Sequence, residues 1–128
     1  MNPKEPTYWQ WVSSAYDDKQ KFDEAITILQ KGLKEIPNDL SLLTSLGFTY
    51  IQKMDLDSAQ KTADILSTLE EKSAKSSYYW LLGMIAEARK DYKTAIKNYD
   101  QSDKLSNSGN STFLGLNQKR CRDLMKKK

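Results

Sequence analysis

The sequence predicts an all-α fold in which three helix–turn–helix units stand in tandem and a C-terminal helix closes the array. Apolar residues recur at helical steps of three and four, and a pattern centred on alanine recurs along the chain. No segment shows the strict alternation of apolar and polar residues that is typical of a β-strand. We expect helices near 6–18, 22–35, 39–53, 56–70, 75–89, 92–104 and 111–126.

The repeat is clearest at Ala25, Ala59 and Ala95, which are 34 and 36 residues apart. A bulky residue stands three positions before each alanine. In the last two units a Leu-Gly pair precedes the alanine by 12 to 13 positions. A period of this size is the signature of a stack of helical hairpins, because one hairpin cannot bury its apolar face alone. The expected units are residues 6–39, 40–75 and 76–109, within a single domain of residues 1–128.

The first unit shows the expected local signals. Trp9, Val12 and Tyr16 fall on one face of its first helix, and a polar turn separates that helix from the second. Pro37 ends the second helix, because proline cannot continue a helical hydrogen-bond ladder. Asp39 is the expected N-cap of the next helix.

Later in the chain the period is interrupted. Two additional residues enter within 72–77, and we interpret them as a lengthened turn. After the third unit, Gly109 is the expected helix stop and Ser111 the N-cap of the closing helix. That helix covers the last apolar face of the array, and Cys121 is expected to be a small buried apolar residue in it.

The period and its residues resemble the tetratricopeptide repeat family over residues 6–109. The matching residues are Trp9, Tyr16, Phe22, Ala25, Leu29 and Pro37 in the first unit, Leu46, Gly47, Tyr50 and Ala59 in the second, and Leu82, Gly83, Tyr92, Ala95 and Tyr99 in the third. Ser13 stands where the family expects glycine, and Gly32 where it expects alanine. The resemblance implies a right-handed superhelical solenoid whose first helices line a concave groove for protein partners.

Carried onto this sequence, the resemblance implies partner-binding residues on the first helix of each unit. They are Gln10, Trp11, Ser14, Thr44, Phe48, Gln52, Trp80, Leu81, Met84 and Glu87. Further candidates are Asp17, Ser45, Leu114, Gln118 and Arg122. Trp11, Phe48, Trp80, Leu81 and Met84 would form an apolar stripe, and exposed stripes of this kind mark contact sites. The alternative is that some of these residues are core, since the register at Trp80 is open by one residue.

One subtype of the family holds the acidic C-terminal tails of chaperones with basic and amide side chains at fixed groove positions. Here those positions hold Gln10, Ser14, Ser45, Ser77 and Leu81. None of them carries a positive charge, so chaperone-tail binding is not expected.

The composition argues against catalysis. The chain of 128 residues has no histidine, and Cys121 is its only cysteine. The commonest general base and metal ligand is therefore missing, and no partner activates the thiol. The five glycines are scattered, so no phosphate-binding loop is present. We expect neither an enzyme nor a cofactor or small-molecule substrate.

With no apolar run near the roughly 20 residues of a membrane span and no signal peptide after Met1, the cytoplasm is the default location.

Charge is concentrated at the C-terminus. The last ten residues carry a net charge of +5, and the preceding 118 carry −2.

The sequence as a whole leaves three functions as hypotheses. The first is a scaffold that receives a peptide or helix of a partner in its groove. The second is a module that self-assembles through the apolar stripe or the end helix. The third, for which no supporting motif is found, is contact of the basic helix with nucleic acid or an anionic membrane.

Ala59 provides a test of the repeat register. In the expected register its methyl group lies where the two helices of the second unit meet, so Ala59→Glu would bury a carboxylate in a contact that has no partner for it. We expect the variant to lose its folded state, measured as the helical circular dichroism signal during thermal unfolding. An unchanged melting temperature would show that the register of the second unit is wrong.

Overall fold

The computed structural model describes residues 4–106 and 112–126, with side chains described over 4–105 and 119–126. Over these residues the chain is helical apart from its turns, which confirms the expected all-α class. The helices are α1 (Pro6–Asp18), α2 (Phe22–Glu35), α3 (Leu40–Gln52), α4 (Leu56–Ser67), α5 (Lys72–Ala88), α6 (Tyr92–Ser106) and α7 (Thr112–Lys126). None of the helices in this described part is long and apolar enough to cross a bilayer. The expected stop at Gly109 and cap at Ser111 lie outside the described residues.

The expected lengthened turn at 72–77 is wrong. α4 ends at Ser67 and α5 begins at Lys72, so the additional residues extend α5 to 17 residues. The hydroxyl of Ser76 donates to the carbonyl oxygen of Ser102 at 2.9 Å, and the hydroxyl of Ser102 donates to the carbonyl oxygen of Ser76 at 2.9 Å. Ala74 in the same turn is fully buried. Because these contacts hold the start of α5 on α6, the segment is stable as helix.

The chain divides into two compact units, Met1–Ile65 and Leu66–Lys128. The first unit holds α1, α2, α3 and most of α4. The second holds the end of α4 with α5, α6 and α7. The expectation that residues 1–128 form one domain stays a prediction.

In the first unit, a side chain of α1 lies directly against the backbone of α2. A Cβ atom added at Gly32 would lie 2.6 Å from Cγ of Trp9, closer than such atoms approach in proteins. Glycine at this position therefore lets the indole ring lie directly against the backbone of α2, which explains the departure from the family pattern. The surrounding core consists of the buried Ile26, Leu29, Leu42 and Leu46, with Trp9, Leu33, Ile36 and Tyr50 packed against them.

In the second unit an aromatic ring also lies against a glycine, but here the first helix of the hairpin supplies the glycine and the second helix supplies the ring. A Cβ atom at Gly83 of α5 would lie 2.6 Å from Cε1 of Tyr99 in α6. The core around this contact consists of the buried Ala86, Ala95, Tyr99 and Cys121, with Trp80, Met84, Tyr92 and Ile96 packed against them. Cys121 belongs to α7, so the end helix packs on the third hairpin as expected. The burial of the thiol is also confirmed.

The three repeat alanines, Ala25, Ala59 and Ala95, are all completely buried. Their burial confirms that these three positions of the repeat belong to the core, where a small side chain is needed for close packing.

Aspartate side chains cap the N-termini of three of the helices. The carboxylate of Asp39 accepts from the backbone N–H of Leu42 at 3.0 Å, which confirms the expected N-cap of α3. Asp55 and Asp91 each accept from the backbone N–H three residues further on, at 3.3 Å. Hydrogen bonds from the side chains of Ser58 and Thr94, and then these backbone hydrogen bonds, lower the pKa of Asp55 and of Asp91, because they favour the charged carboxylate.

The three hairpin turns share one backbone geometry. Gln20, Met54 and Lys90 have positive φ angles of 60°, 68° and 63°. In each turn the next residue donates its backbone N–H to the carbonyl oxygen five positions back, at 2.9 Å. This is the Schellman arrangement, in which glycine is preferred at the left-handed position because it has no Cβ atom. The chain tolerates a side chain at all three positions.

Met54→Gly tests the cost of that tolerance. Met54 is 61% exposed, so its side chain adds little packing. Glycine removes the left-handed strain, about 1–2 kcal/mol, but loses about 0.5–1 kcal/mol of chain entropy. We expect a gain of about 0.5 kcal/mol in unfolding free energy, measured by urea denaturation. Met54→Ala is the matched control: it keeps Cβ and should give no gain. Equal stability of the two variants would contradict the argument.

Candidate functional site

The sequence-predicted partner-binding residues of α1 and α3 lie on neighbouring helices of the first unit. The side-chain amide of Gln10 donates to the hydroxyl of Ser45 at 3.3 Å, which joins the two helices at this surface. The surface row, as we call it, consists of Gln10, Ser14, Thr44, Phe48 and Gln52. Ser14 and Gln52 are exposed, and the other three are half-buried. The row has an aromatic ring among uncharged polar groups.

A buried contact between a hydroxyl and a carboxylate also links these helices. Thr49 is fully buried, and its hydroxyl lies 3.1 Å from the nearer carboxylate oxygen of Asp17 and 3.0 Å from the carbonyl oxygen of Ser45. Burial raises the pKa of Asp17; the hydrogen bond from Thr49 opposes this rise, and the neighbouring charge of Asp18 adds to it. Asp17 thus holds α3 against α1.

Trp11 is highly exposed, at 73%, but belongs to a different side of α1 from the surface row. It follows Gln10 directly, and successive residues of an α-helix are turned by about 100°. With Val12, Ala15, Tyr16 and Lys19 it lines a depression whose described lining residues all belong to α1. The structure does not bring Trp11 together with Phe48.

The second unit corrects the expectation that Leu81 is exposed in a groove. Leu81 is fully buried. It occupies the same place in its repeat as Ser45, the residue of α3 that accepts a hydrogen bond from Gln10 of α1. Its neighbour Leu82 is half-buried. The expected position of Leu81 is therefore wrong by the one-residue register that the sequence left open at Trp80.

Trp80 and Met84 are half-buried rather than exposed. Both pack against the core cluster that contains Ala86, Tyr99 and Cys121. Part of each side chain is therefore core, and only the remainder is accessible to a partner. The idea of a freely exposed apolar stripe does not hold for these two residues.

Glu87 connects three elements of the second unit. Its carboxylate accepts from the hydroxyl of Tyr99 in α6 at 2.8 Å, and from Nε and Nη2 of Arg120 in α7 at 2.8 and 2.7 Å. Burial by itself would raise the pKa of Glu87, but the hydrogen bonds from Arg120 and Tyr99 outweigh it and hold the pKa below its ordinary value. Glu87 is therefore a residue that fixes α7 in place.

The thiol of Cys121 lies beside the same carboxylate. Burial, with the negative charge of Glu87 as a second cause, raises the pKa of Cys121 to about 11. At neutral pH the thiol is therefore protonated and a weak nucleophile.

Sequence reasoning missed both polar links, Asp17 with Thr49 and Glu87 with Arg120. Arg120 belongs to the basic C-terminal segment, and nothing in the helical period distinguishes it from Arg122, because both are exposed. A clue to the first link exists, since Thr49 is a polar residue between Phe48 and Tyr50. The side chains of the candidates Leu114 and Gln118 lie outside the described residues.

Comparisons with known proteins agree with this architecture. A family model of the tetratricopeptide repeat matches residues 6–39 and 76–108, which together make up more than half of the chain. Among solved structures, the chain is similar to the NMR structure of the first TPR domain of the human RPAP3 protein. The TM-score is 0.77 at 18% sequence identity, over 98% of this chain and 96% of that one. No curated protein matches the sequence. The expected helical-repeat fold is confirmed.

The contact between Glu87 and Arg120 predicts a pH dependence. The folded-state pKa of Glu87 lies below its ordinary value of 4.5, so its contribution to stability is complete above that pH and is lost as the pH falls further. We expect Glu87→Gln to cost about 1 kcal/mol at pH 7, since Arg120 is half exposed and the pair is partly screened. The difference from wild type should shrink below pH 4.5, in denaturant unfolding followed by circular dichroism.

Asp23→Asn is the control for this experiment. Asp23 pairs with Lys53 on the open surface, so its removal should leave the melting temperature unchanged. If Glu87→Gln is as stable as wild type at pH 7, the contact does not hold α7.

Proposed function

Because this chain belongs to the tetratricopeptide repeat family, whose repeats generally mediate protein–protein interaction, we propose that it binds a segment of a partner protein on the surface row of α1 and α3. Members of the family are typically scaffolds without catalytic activity. The single observation that carries the proposal is Phe48. It is a half-buried aromatic ring in a row of otherwise uncharged polar side chains.

The row has the composition of a contact surface. Interfaces concentrate their binding energy in a few aromatic anchors surrounded by polar groups that complete hydrogen bonds. Phe48 supplies the anchor. Ser14 and Gln52 are exposed and supply hydroxyl and amide groups for a partner's backbone or side chains.

The helices that present the row are held before any partner arrives. The contacts of Gln10 with Ser45 and of Asp17 with Thr49 lock α1 to α3. A surface that does not need to be ordered on binding spends less conformational entropy in forming the complex. This favours recognition of a flexible peptide or a short helix, which itself must become ordered.

The charge of the row selects the class of partner. None of its five side chains is ionised, so no cation is available there to hold an acidic tail. The partner segment should be a neutral peptide or amphipathic helix with one apolar side chain for Phe48.

Trp80 and Met84, which stand at the repeat positions of Thr44 and Phe48, are proposed as a further contact surface of the second unit.

The basic C-terminal helix is a weaker candidate. Arg120 is already engaged by Glu87, which leaves fewer cations on the described part of α7 for nucleic acid or lipid. Binding through that helix would fall steeply with salt, because it releases counterions. Binding at the surface row should change little between low and moderate salt.

A random peptide library displayed on phage and selected on the full chain tests the proposal. Phe48→Ala should weaken the selected peptides about 30-fold, the equivalent of about 2 kcal/mol, because the anchor is removed. Affinities are measured by fluorescence anisotropy, and circular dichroism checks that each variant is folded. Met54→Ala, which changes an exposed methionine off the row, is the matched control and should bind normally. Peptides that bind a folded Phe48→Ala protein with wild-type affinity would overturn the proposal.

A further inference from the structure

α1 carries a second surface that the proposed partner site does not use. Trp11 stands 73% exposed over a depression of about 440 Å³, lined also by Val12, Ala15, Tyr16 and Lys19. We call this surface the outer face of α1. An indole left this open to water is unfavourable for a folded chain, because burial of an aromatic side chain stabilises by roughly 1.5–3 kcal/mol.

The repeat shows what such a face packs against. Trp11 and Ala15 occupy the same repeat positions as Ser45 and Thr49 of α3, 34 residues later. Ser45 accepts a hydrogen bond from α1, and Thr49 is fully buried with its hydroxyl against Asp17 of α1. In α3 this side of the helix therefore packs on the hairpin before it. In α1 the same side is open among the described residues. The outer face thus has the form of a helix-packing surface.

The charges at the two ends of the outer face favour a second copy of the chain as its occupant. Lys19 lines one end of the depression. Glu5, exposed at the N-cap of α1, stands 14 residues earlier, close to four helical turns away and so on nearly the same side. Two copies of α1 laid antiparallel place Lys19 of each against Glu5 of the other. A parallel pair would place like charges together.

The apolar centre of the face suits the same arrangement. In an antiparallel pair whose two-fold axis passes at the level of Ser13, the large Trp11 of one copy lies level with the small Ala15 of the other. Glu5 then lies within two residues, about 3 Å along the helix axis, of the level of Lys19 in the partner. A two-fold axis repeats the contact, so one interface covers both exposed indoles. We propose that two copies of this chain pair through the outer faces of α1, antiparallel, with Trp11 of each copy packed on Ala15 of its partner.

One helix from each copy forms a small interface. Contacts below about 1,200 Å² belong to weak and transient complexes. Pairing therefore depends on concentration, and the surface row with Phe48 stays open in the dimer. Partner binding and self-association are separate properties of the two sides of α1.

Sedimentation velocity of the full chain from about 1 µM to about 1 mM measures the pairing, over a range that covers weak association. We expect a reversible monomer–dimer equilibrium that Trp11→Ala weakens at least tenfold. Phe48→Ala and Met54→Ala are controls off the outer face and should dimerise like wild type. A chain that stays monomeric throughout would overturn the proposal, as would a Trp11→Ala variant that dimerises normally. Loss of dimer in Phe48→Ala alone would move the contact to the surface row.

Charge exchange tests the antiparallel geometry. Glu5→Lys and Lys19→Glu should each weaken the dimer, since each creates like-charge contacts. The double variant restores both contacts with reversed sign and should regain the wild-type dissociation constant within about twofold. Both residues are exposed, so the fold is retained. A double variant no better than the single ones would exclude the pairing of Glu5 with Lys19.

Discussion

The packing of the first and third hairpins depends on an aromatic ring that lies against a glycine of the facing helix, where a Cβ atom would clash with the ring. In the first hairpin the ring is Trp9 and the glycine is Gly32; in the third the ring is Tyr99 and the glycine is Gly83. The glycine lies in the second helix of the first hairpin and in the first helix of the third hairpin. In both cases one helix contributes a large ring and the facing helix contributes a residue without a side chain. The third hairpin makes this contact with residues that match the family pattern, whereas the first makes it with a glycine in place of the expected alanine.

In the first and third hairpins, an acidic residue at one repeat position also links the hairpin to the helix that follows it. In the second hairpin the same position holds Ile51. Asp17 accepts a hydrogen bond from Thr49 of α3. Glu87, at the same position two repeats later, accepts from Arg120 of α7. The end helix thus makes the contact that the first helix of a further repeat would make. The end helix therefore does two things as a cap. It donates hydrogen bonds to the carboxylate of Glu87, and it covers the apolar core of the third hairpin with Cys121.

The two sides of α1 have different surroundings. Gln10 and Ser14 lie beside α3 and present polar groups at a surface that the contacts between α1 and α3 have already ordered. Trp11 and Ala15 lie on the side that in α3 is covered by a neighbouring hairpin. Among the described residues, that side of α1 leaves Trp11 exposed, whereas in α3 the same side is in contact with α1.

The sequence by itself determined the hairpins, their turns and the burial of Ala25, Ala59 and Ala95, because these follow from local helical periodicity and from the small size of alanine. Only the tertiary structure decided that Leu81 is buried and that Glu87 holds α7. The reason is geometric. A shift of one residue turns a side chain by about 100° around the helix, so the side that faces a neighbour depends on where that neighbour packs. Periodicity places a residue on a helix, but contacts between helices decide what it touches.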